Sequence, residues 1–446
     1  MEKAAERAGA LEADVIVAGA GLVGPALALA LARSGFEVAL IDRVAEELRA
    51  DPGFDGRAYA MALGSAGCLG ALGLWRDLEG RAEPIRDITV SEGVPSDGGA
   101  SEGGSSDGGP ADGGKAAGAG AKARGAAGAA GADLHFDPRA LDEARVGWIL
   151  EDRYLRGALL GAVRGEPGIR HMAPAAIAAA AFEPGRAVLT LEDGRVLQAP
   201  LAVAADGRGS ALAAMGGIGR QVLRYEQTGL VAAIEHDRPH GGRAHQSFFA
   251  GGPFAVLPLP GNRSGLVWSE REREAKRLMA LDEAGYEAAL AARIGPRLGR
   301  LRLAAPRRAF PLALELADAY AAPRLVLAGD AAHGVHPIAG QGLNMGLRDV
   351  AALVEVLTAA ARVGEDIGDI GVLRRYERWR RFDNASLALG MDGLARLFSN
   401  ANPLLSAVRQ AGLRAVSAMP AATRFFMREA AGISGDRPAM MMGRLP

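Results

Sequence analysis

Three glycines at fixed spacing, Gly19, Gly21 and Gly24 in GAGLVG, stand between an apolar run, DVIVAG, and a helix-forming run, ALALALARSG. The first permits a tight turn, the second lets backbone approach a pyrophosphate, and the third allows a helix to pack closely on a strand. The following helix would aim the positive end of its dipole at the anion. Further on, Asp42 ends a second apolar run, EVALID, where a carboxylate can accept from both hydroxyls of a ribose. An acid at that place repels a 2′-phosphate, so the pattern predicts FAD or NAD rather than NADP.

A third apolar strand, RLVLAGD, ends at Asp330 and runs into AAHGVHPIAGQGLNMGLRD. Gly340, Gln341 and Gly342 fall just before a helix expected from about Leu343 to Ala361. A carboxylate at a strand end can hold a sugar-alcohol hydroxyl. Free N–H groups at a helix start can stabilise negative charge on the N1–C2=O edge of a reduced flavin. NAD needs no such second site, so the two strand ends together predict FAD.

Positioning these groups takes a β-α-β opening and a parallel core, joined by a further apolar strand, PLAVAADG, that ends at Asp206. Residues 221–304 hold strand-like segments such as TGLVAAIEH, FAVLPLP and GLVWSE, which predict a mixed or antiparallel sheet. The expected organisation is α/β: a discontinuous Rossmann-like FAD-binding domain (11–75, 141–220 and 305–360) interrupted by a mixed-sheet substrate domain (76–94, 134–140 and 221–304). A C-terminal helical region (361–446) follows. Residues 95–133 contain 13 Gly and no Val, Leu, Ile, Met or aromatic residue, which predicts a disordered Gly/Ala/Ser-rich insertion.

Several function classes fall away. Charge is balanced, 51 Lys and Arg against 52 Asp and Glu, which removes the basic field that nucleic-acid binding requires. One cysteine, Cys68, closes no internal disulfide, and MEKAAERAGALEAD lacks an apolar signal core, so a reducing, cytoplasmic setting is expected. Val15 to Ala32 is uncharged and long enough to span a bilayer, but three Gly and a Pro favour strand, turn and helix. GPADGGKA imitates a P-loop, yet Ala116 replaces the magnesium-binding hydroxyl. His333 and His336 have no companion Cys or acid cluster, so packing near the flavin is expected rather than a metal.

The spread of GAGLVG, ID, GRAYAMALGSAGCLGALGLW, ADGRGSALAAMGGI and GDAAHGVHPIAGQGLNMGLRDVAAL resembles the flavoprotein aromatic hydroxylases of the para-hydroxybenzoate hydroxylase fold. More narrowly it resembles the ubiquinone-biosynthesis hydroxylases, with HPIAGQGLNMGL as the specific signature and the tail YERWRRFDNASLALGMDGLARLFSN also similar. The likeness covers nearly the whole chain except 95–133. It implies that Asp330 binds the FAD ribityl chain, that Gly340, Gln341, Gly342, Leu343 and Asn344 line the flavin pyrimidine edge, and that Pro337 lies against the ring. It further implies that Arg57 lies near the phosphates and ribityl, that Asp206 and Gly207 handle nucleotide, and that Arg153 reaches the cofactor. Asp152 departs from the Asn expected beside Arg153.

By the same resemblance, NAD(P)H reduces the flavin and leaves, and O2 then forms a C4a-hydroperoxide that hydroxylates a polyprenylated phenol on the ubiquinone pathway. The cofactor supplies the hard chemistry, so no side-chain acid or base is assigned. Between Gly393 and Arg428 there is no acid, while five arginines interleave with apolar residues. Such a stretch could rest on anionic lipid at the inner membrane surface, near other ubiquinone-biosynthesis proteins, or pack on the protein body. Two alternatives stay open: a soluble hydroxylase of a small phenol, and a non-catalytic FAD-binding scaffold of a biosynthetic complex. A flavin halogenase lacks support, because Trp75, Trp148, Trp268 and Trp379 stand singly and no WxWxIP occurs.

Overall fold

The computed structural model describes residues 11–93, 134–138, 145–337, 340–398, 419, 424 and 427–446. The insertion at 95–133 and most of the basic stretch from 393 to 428 lie outside the described residues.

Four short apolar runs, VIVA, VALI, LAVA and LVL, are buried along their whole length, as strands covered on both faces must be. They form the middle of a six-stranded sheet in the order Ala321–Ala322, Leu325–Leu327, Leu201–Ala204, Val15–Ala18, Val38–Ile41, Ile169–Met172. Every neighbouring pair is parallel except the first. From Val15–Ala18 the chain moves outward on one side to Val38–Ile41, and later returns on the other side through Leu201–Ala204. That reversal opens a crevice at the carboxyl ends of the strands, the usual ligand position in such sheets. Helices Val23–Arg33 and Gln341–Arg362 lie in contact beside it.

A second, nine-stranded sheet takes up Arg220–His236, Arg243–Phe249, Gly252–Leu259, Arg263–Arg271 and Arg308–Ala317, with Asp87–Glu92 and Leu134–Phe136 on one edge. It is mixed, since Asp87–Glu92 runs parallel to Arg243–Phe249 while its other contacts are antiparallel. One face buries Leu230, Phe254 and Trp268 against Leu278, Tyr286 and Leu290 of helices Glu272–Met279 and Glu283–Ile294. The opposite face looks toward the nucleotide unit. The chain comes back to that unit after Ala317 rather than at 305, because Arg308–Ala317 is stitched antiparallel to Arg220–His236 over nine residue pairs.

A three-stranded sheet of Ala58–Ala62, Gly147–Glu151 and Glu83–Ile85 joins the two units, and a small antiparallel meander covers 177–199. Helix Ile370–Phe398 runs against Gln341–Arg362. The end of the chain then returns to helix Leu63–Ala71, where the Gly64 N–H donates to the Ala431 carbonyl at 3.1 Å.

Candidate active site

At the crevice the three glycines meet different surroundings. Gly19 holds φ +106°, and a Cβ there would fall 2.4 Å from the Ala205 carbonyl oxygen. A Cβ on Gly24 would fall 1.8 Å from the Gly19 carbonyl oxygen, so both positions exclude any side chain. At Gly21 a Cβ would meet nothing within 4 Å, and this residue lines the cleft. Helix Val23–Arg33 starts here without a side-chain cap, which leaves its first N–H groups for a ligand.

Asp42 departs from expectation. Its carboxylate is buried, accepts from the Ala20 N–H at 2.5 Å and the Val44 N–H at 2.7 Å, and pairs with Arg49 at 3.1 Å. It braces the glycine turn, while Arg49 is the side chain that lines the cleft. The Arg49 Nε is buried without a partner.

About the second strand end, Asp330 lines the same cleft with its side chain 44% exposed. Among the described residues its one ion pair, with Arg208, is long at 3.5 Å. Arg208 also donates to the Val335 and Ala313 carbonyls, tying the Asp330 turn to the substrate sheet. Gly340 takes the left-handed conformation, φ +60° and ψ +30°, that lets the chain turn into helix Gln341–Arg362, whose start again carries no side-chain cap. Pro337, Gly340, Gln341, Gly342, Leu343 and Asn344 all line the cleft. Around Gly342 a Cβ would find only contacts of 3.9 Å or more.

Asn344 is a clasp. Its amide oxygen accepts from the Ala62 N–H and the Ser65 hydroxyl, and its amide nitrogen donates to the Ala60 and Gly340 carbonyls. Strand Ala58–Ala62 is thereby fixed against the helix start.

Arg57 lines the cleft, held by Asp55 at 2.8 Å and Asp152 at 3.2 Å. Asp152 is buried, pairs with Arg156 at 2.7 Å, and accepts from the Tyr59 hydroxyl. Burial and the Asp152 charge push the Tyr59 hydroxyl well above its ordinary range, so it stays a donor. Arg153 turns elsewhere: it pairs with buried Glu151 and stacks near Phe54 and Tyr154. One helical turn separates the two choices, and Arg156 is the arginine that reaches the cleft. Asp206 also differs, since its carboxylate accepts from the Ala211 and Leu212 N–H groups at the start of a short helix. Its neighbours Gly207 and Arg208 line the cleft instead.

Behind the Asp330 turn lies a buried polar cluster that local sequence patterns do not disclose. Asp349 accepts from His333, from Arg380 at 2.9 Å, from Asn384 at 3.0 Å and from the Gly329 N–H at 3.1 Å. Although burial opposes its charge, His333 and Arg380 hold the Asp349 carboxyl far below the usual carboxylate range. Asp349→Asn would take from the buried Arg380 guanidinium its buried carboxylate partner and leave it the more exposed Asp383, a loss of about 3 kcal/mol at neutral pH, the lower end for a broken buried pair. The depressed pKa makes the wild-type contribution complete above about pH 3.8 and lost as pH falls below it. Denaturation midpoints of the two proteins should therefore differ at pH 7 and converge in acid. His336, beside Tyr225, is pushed down to about 4 by burial, with Arg208 adding, and stays neutral.

The cleft occupies about 1220 Å³, beyond the roughly 300–1,000 Å³ of a pocket for one small ligand. It runs from Gly21 and Arg49 past Asp330 and Gly342 to the sheet residues Gln246, Val267 and Leu312. An elongated dinucleotide fits this donor set: two uncapped helix starts for its negative ends, an available carboxylate for hydroxyls, and arginines at the phosphate side. The cleft thus joins a nucleotide unit to an apolar chamber, and FAD is the dinucleotide its donor set suits.

Comparison with known proteins agrees. Residues 12–142 and 178–382 match the FAD binding domain family. The chain is 40% identical to the ubiquinone hydroxylase UbiL of Rhodospirillum rubrum, over 97% of this chain and 93% of that protein. It is 31% identical to the 3-demethoxyubiquinol 3-hydroxylase of Escherichia coli, over 94% and 98% of the two chains. Among solved structures, p-nitrophenol 4-monooxygenase PnpA from Pseudomonas putida superposes with a TM-score of 0.74 at 18% identity, covering 96% of this chain and 100% of that one. The anhydrotetracycline hydroxylase OxyS from Streptomyces rimosus gives 0.69 at 19% identity, over 96% and 77%. Both share the fold. The chain belongs to the ubiquinone-biosynthesis FAD hydroxylases.

Proposed function

We propose that this chain hydroxylates the ring of a polyprenylated phenol, with NAD(P)H as reductant and O2 as oxygen source. The observation that carries the reading is the single cleft on which both uncapped helix starts open, continued by an apolar sheet face. FAD, when bound, supplies electron transfer and oxygen activation. The chain's own residues do the rest. Gly21 leaves room for the pyrophosphate, with Arg49 and Arg57 at its flank. Asp330 accepts from the ribityl hydroxyls. The N–H groups of Gly342 and Leu343 would favour negative charge at the pyrimidine edge, Pro337 would flank the ring, and the sheet face would exclude water from the reacting centre.

Val222 and Phe310 line the cleft and yet are 49% and 44% exposed. A greasy mouth of this kind suits an isoprenoid tail, and a substrate delivered from a membrane surface, better than it suits a small polar phenol. Among the described residues no helix is long and apolar enough to cross a membrane. Anaerobic addition of NAD(P)H to the purified holoprotein should bleach its flavin, and a host lacking the gene should accumulate a prenylated phenol precursor. A flavin that NAD(P)H leaves yellow would make the chain a scaffold.

A further inference from the structure

The sheet side of the chamber is mainly apolar, with His245 and Gln246 among its polar members. Ala244, Phe248, Ala255, Leu257 and Val267 line it from three adjacent strands. Side chains alternate along a strand, so Gln246, between Ala244 and Phe248, shares their face. Its cross-strand partner is Ala255, which in turn pairs with Val267. A small void of about 10 Å³ is bounded by Gln246, Ala255, Val267, Ser269, Pro253 and Pro337. The amide thus stands beside the turn that flanks the redox ring.

The Gln246 Nε2 is buried and has no hydrogen-bond partner. An unpaired buried donor of this kind costs roughly 1–3 kcal/mol, a penalty that folded proteins usually relieve with a protein group, a water or a ligand. The neighbouring void is at the lower limit for holding one water. Three other amides line the cleft, Gln227, Gln341 and Asn344, and none of them has its nitrogen buried without a partner. Gln227 donates to the Gly251 carbonyl at 2.8 Å, and Asn344 donates to the carbonyls of Ala60 and Gly340.

We infer that Gln246 is the specificity residue of the ring chamber: its amide donates a hydrogen bond to an oxygen on the aromatic ring of the substrate, and so fixes which ring carbon faces the Pro337 turn. The acceptor is a phenol, phenolate or alkoxy oxygen. This assignment rests on the hydroxylase reading above and goes further by naming the group that reads the ring. A wall of Leu, Val and Ala alone would hold a ring without fixing its rotation, whereas one directed donor distinguishes its edges.

The test uses the flavin-loaded protein, titrated with a para-alkylphenol and with the alkylbenzene of equal chain length, and follows the flavin absorbance. Wild type should bind the phenol more tightly than the hydrocarbon. Gln246→Leu should keep its flavin and melt no lower than wild type but bind the two probes alike, with phenol affinity reduced roughly 5- to 150-fold. It should also divert more NAD(P)H oxidation into free peroxide. A Gln246→Leu protein that keeps the wild-type preference for phenol overturns the inference, and so does one that loses its flavin, which would put Gln246 in the cofactor site. If wild type itself does not discriminate, the phenol-hydroxylase reading fails and the inference with it.

Discussion

Asp330→Ala should fold normally and purify without its yellow colour. The Asp330 carboxylate stands at a strand end, lines the cleft and is 44% exposed. Its ion pair with Arg208 is long, and Arg208 keeps its bonds to Val335 and Ala313 when the acid is removed. Stability should therefore move by less than about 1 kcal/mol, as for other exposed pairs. Flavin loses one or two hydrogen bonds to a charged acceptor, each worth about 1.5–3 kcal/mol, so affinity should fall roughly tenfold to several hundredfold or more. Thermal melting of the apoproteins and flavin titration check the two halves separately. A variant that retains full flavin stoichiometry would remove Asp330 from the site.

The second large effect separates two glycines three residues apart. At Gly24 an added Cβ would sit 1.8 Å from the Gly19 carbonyl oxygen, a backbone atom that cannot swing away. Gly24→Ala should push helix Val23–Arg33 off its strand and cost several kcal/mol, about the upper range for overpacking a core. At Gly21 the added methyl has open space in the apoprotein and enters the place proposed for the pyrophosphate. Gly21→Ala should leave the apoprotein melt unchanged and abolish flavin binding. Equal destabilisation by both substitutions would contradict this division of roles.

Which parts of this arrangement a sequence can disclose follows from the distance over which each signal acts. Gly19, Gly21 and Gly24 declare themselves because turn, close approach and helix start are all local demands. The four buried strands likewise follow from unbroken apolar runs. Arg153 and Arg156 lie one turn apart on helix Asp152–Gly165, and only the fold decides which of them turns to the cleft. Asp42 ends the right strand, but its carboxylate is taken up by two N–H groups and Arg49, a contact between groups seven residues apart with no motif of its own. Arg380 sits in the run RWRRF and reads as a solvated cation, yet it is 1% exposed and pairs with Asp349. The free donor of Gln246 is likewise invisible without the opposing Pro337 turn.

The return of the chain at Ala317, rather than at 305, is a register effect. RAFPLALELA has the apolar content of either sheet, and only its pairing with Arg220–His236 assigns it to the substrate unit. The Pro311 within it is tolerated where the partner strand shifts register between Arg224 and Thr228.

The central claim is that one FAD molecule spans both helix starts, its adenosine half at Gly21 and its ring at Gly342. A crystal structure of the yellow holoprotein tests this most directly. It should show the pyrophosphate over Gly21, the ribityl chain on Asp330 and the ring between Pro337 and the face that carries Gln246. A flavin whose ring lies away from Gly342, or whose phosphates lie away from the Gly21 turn, would contradict the account.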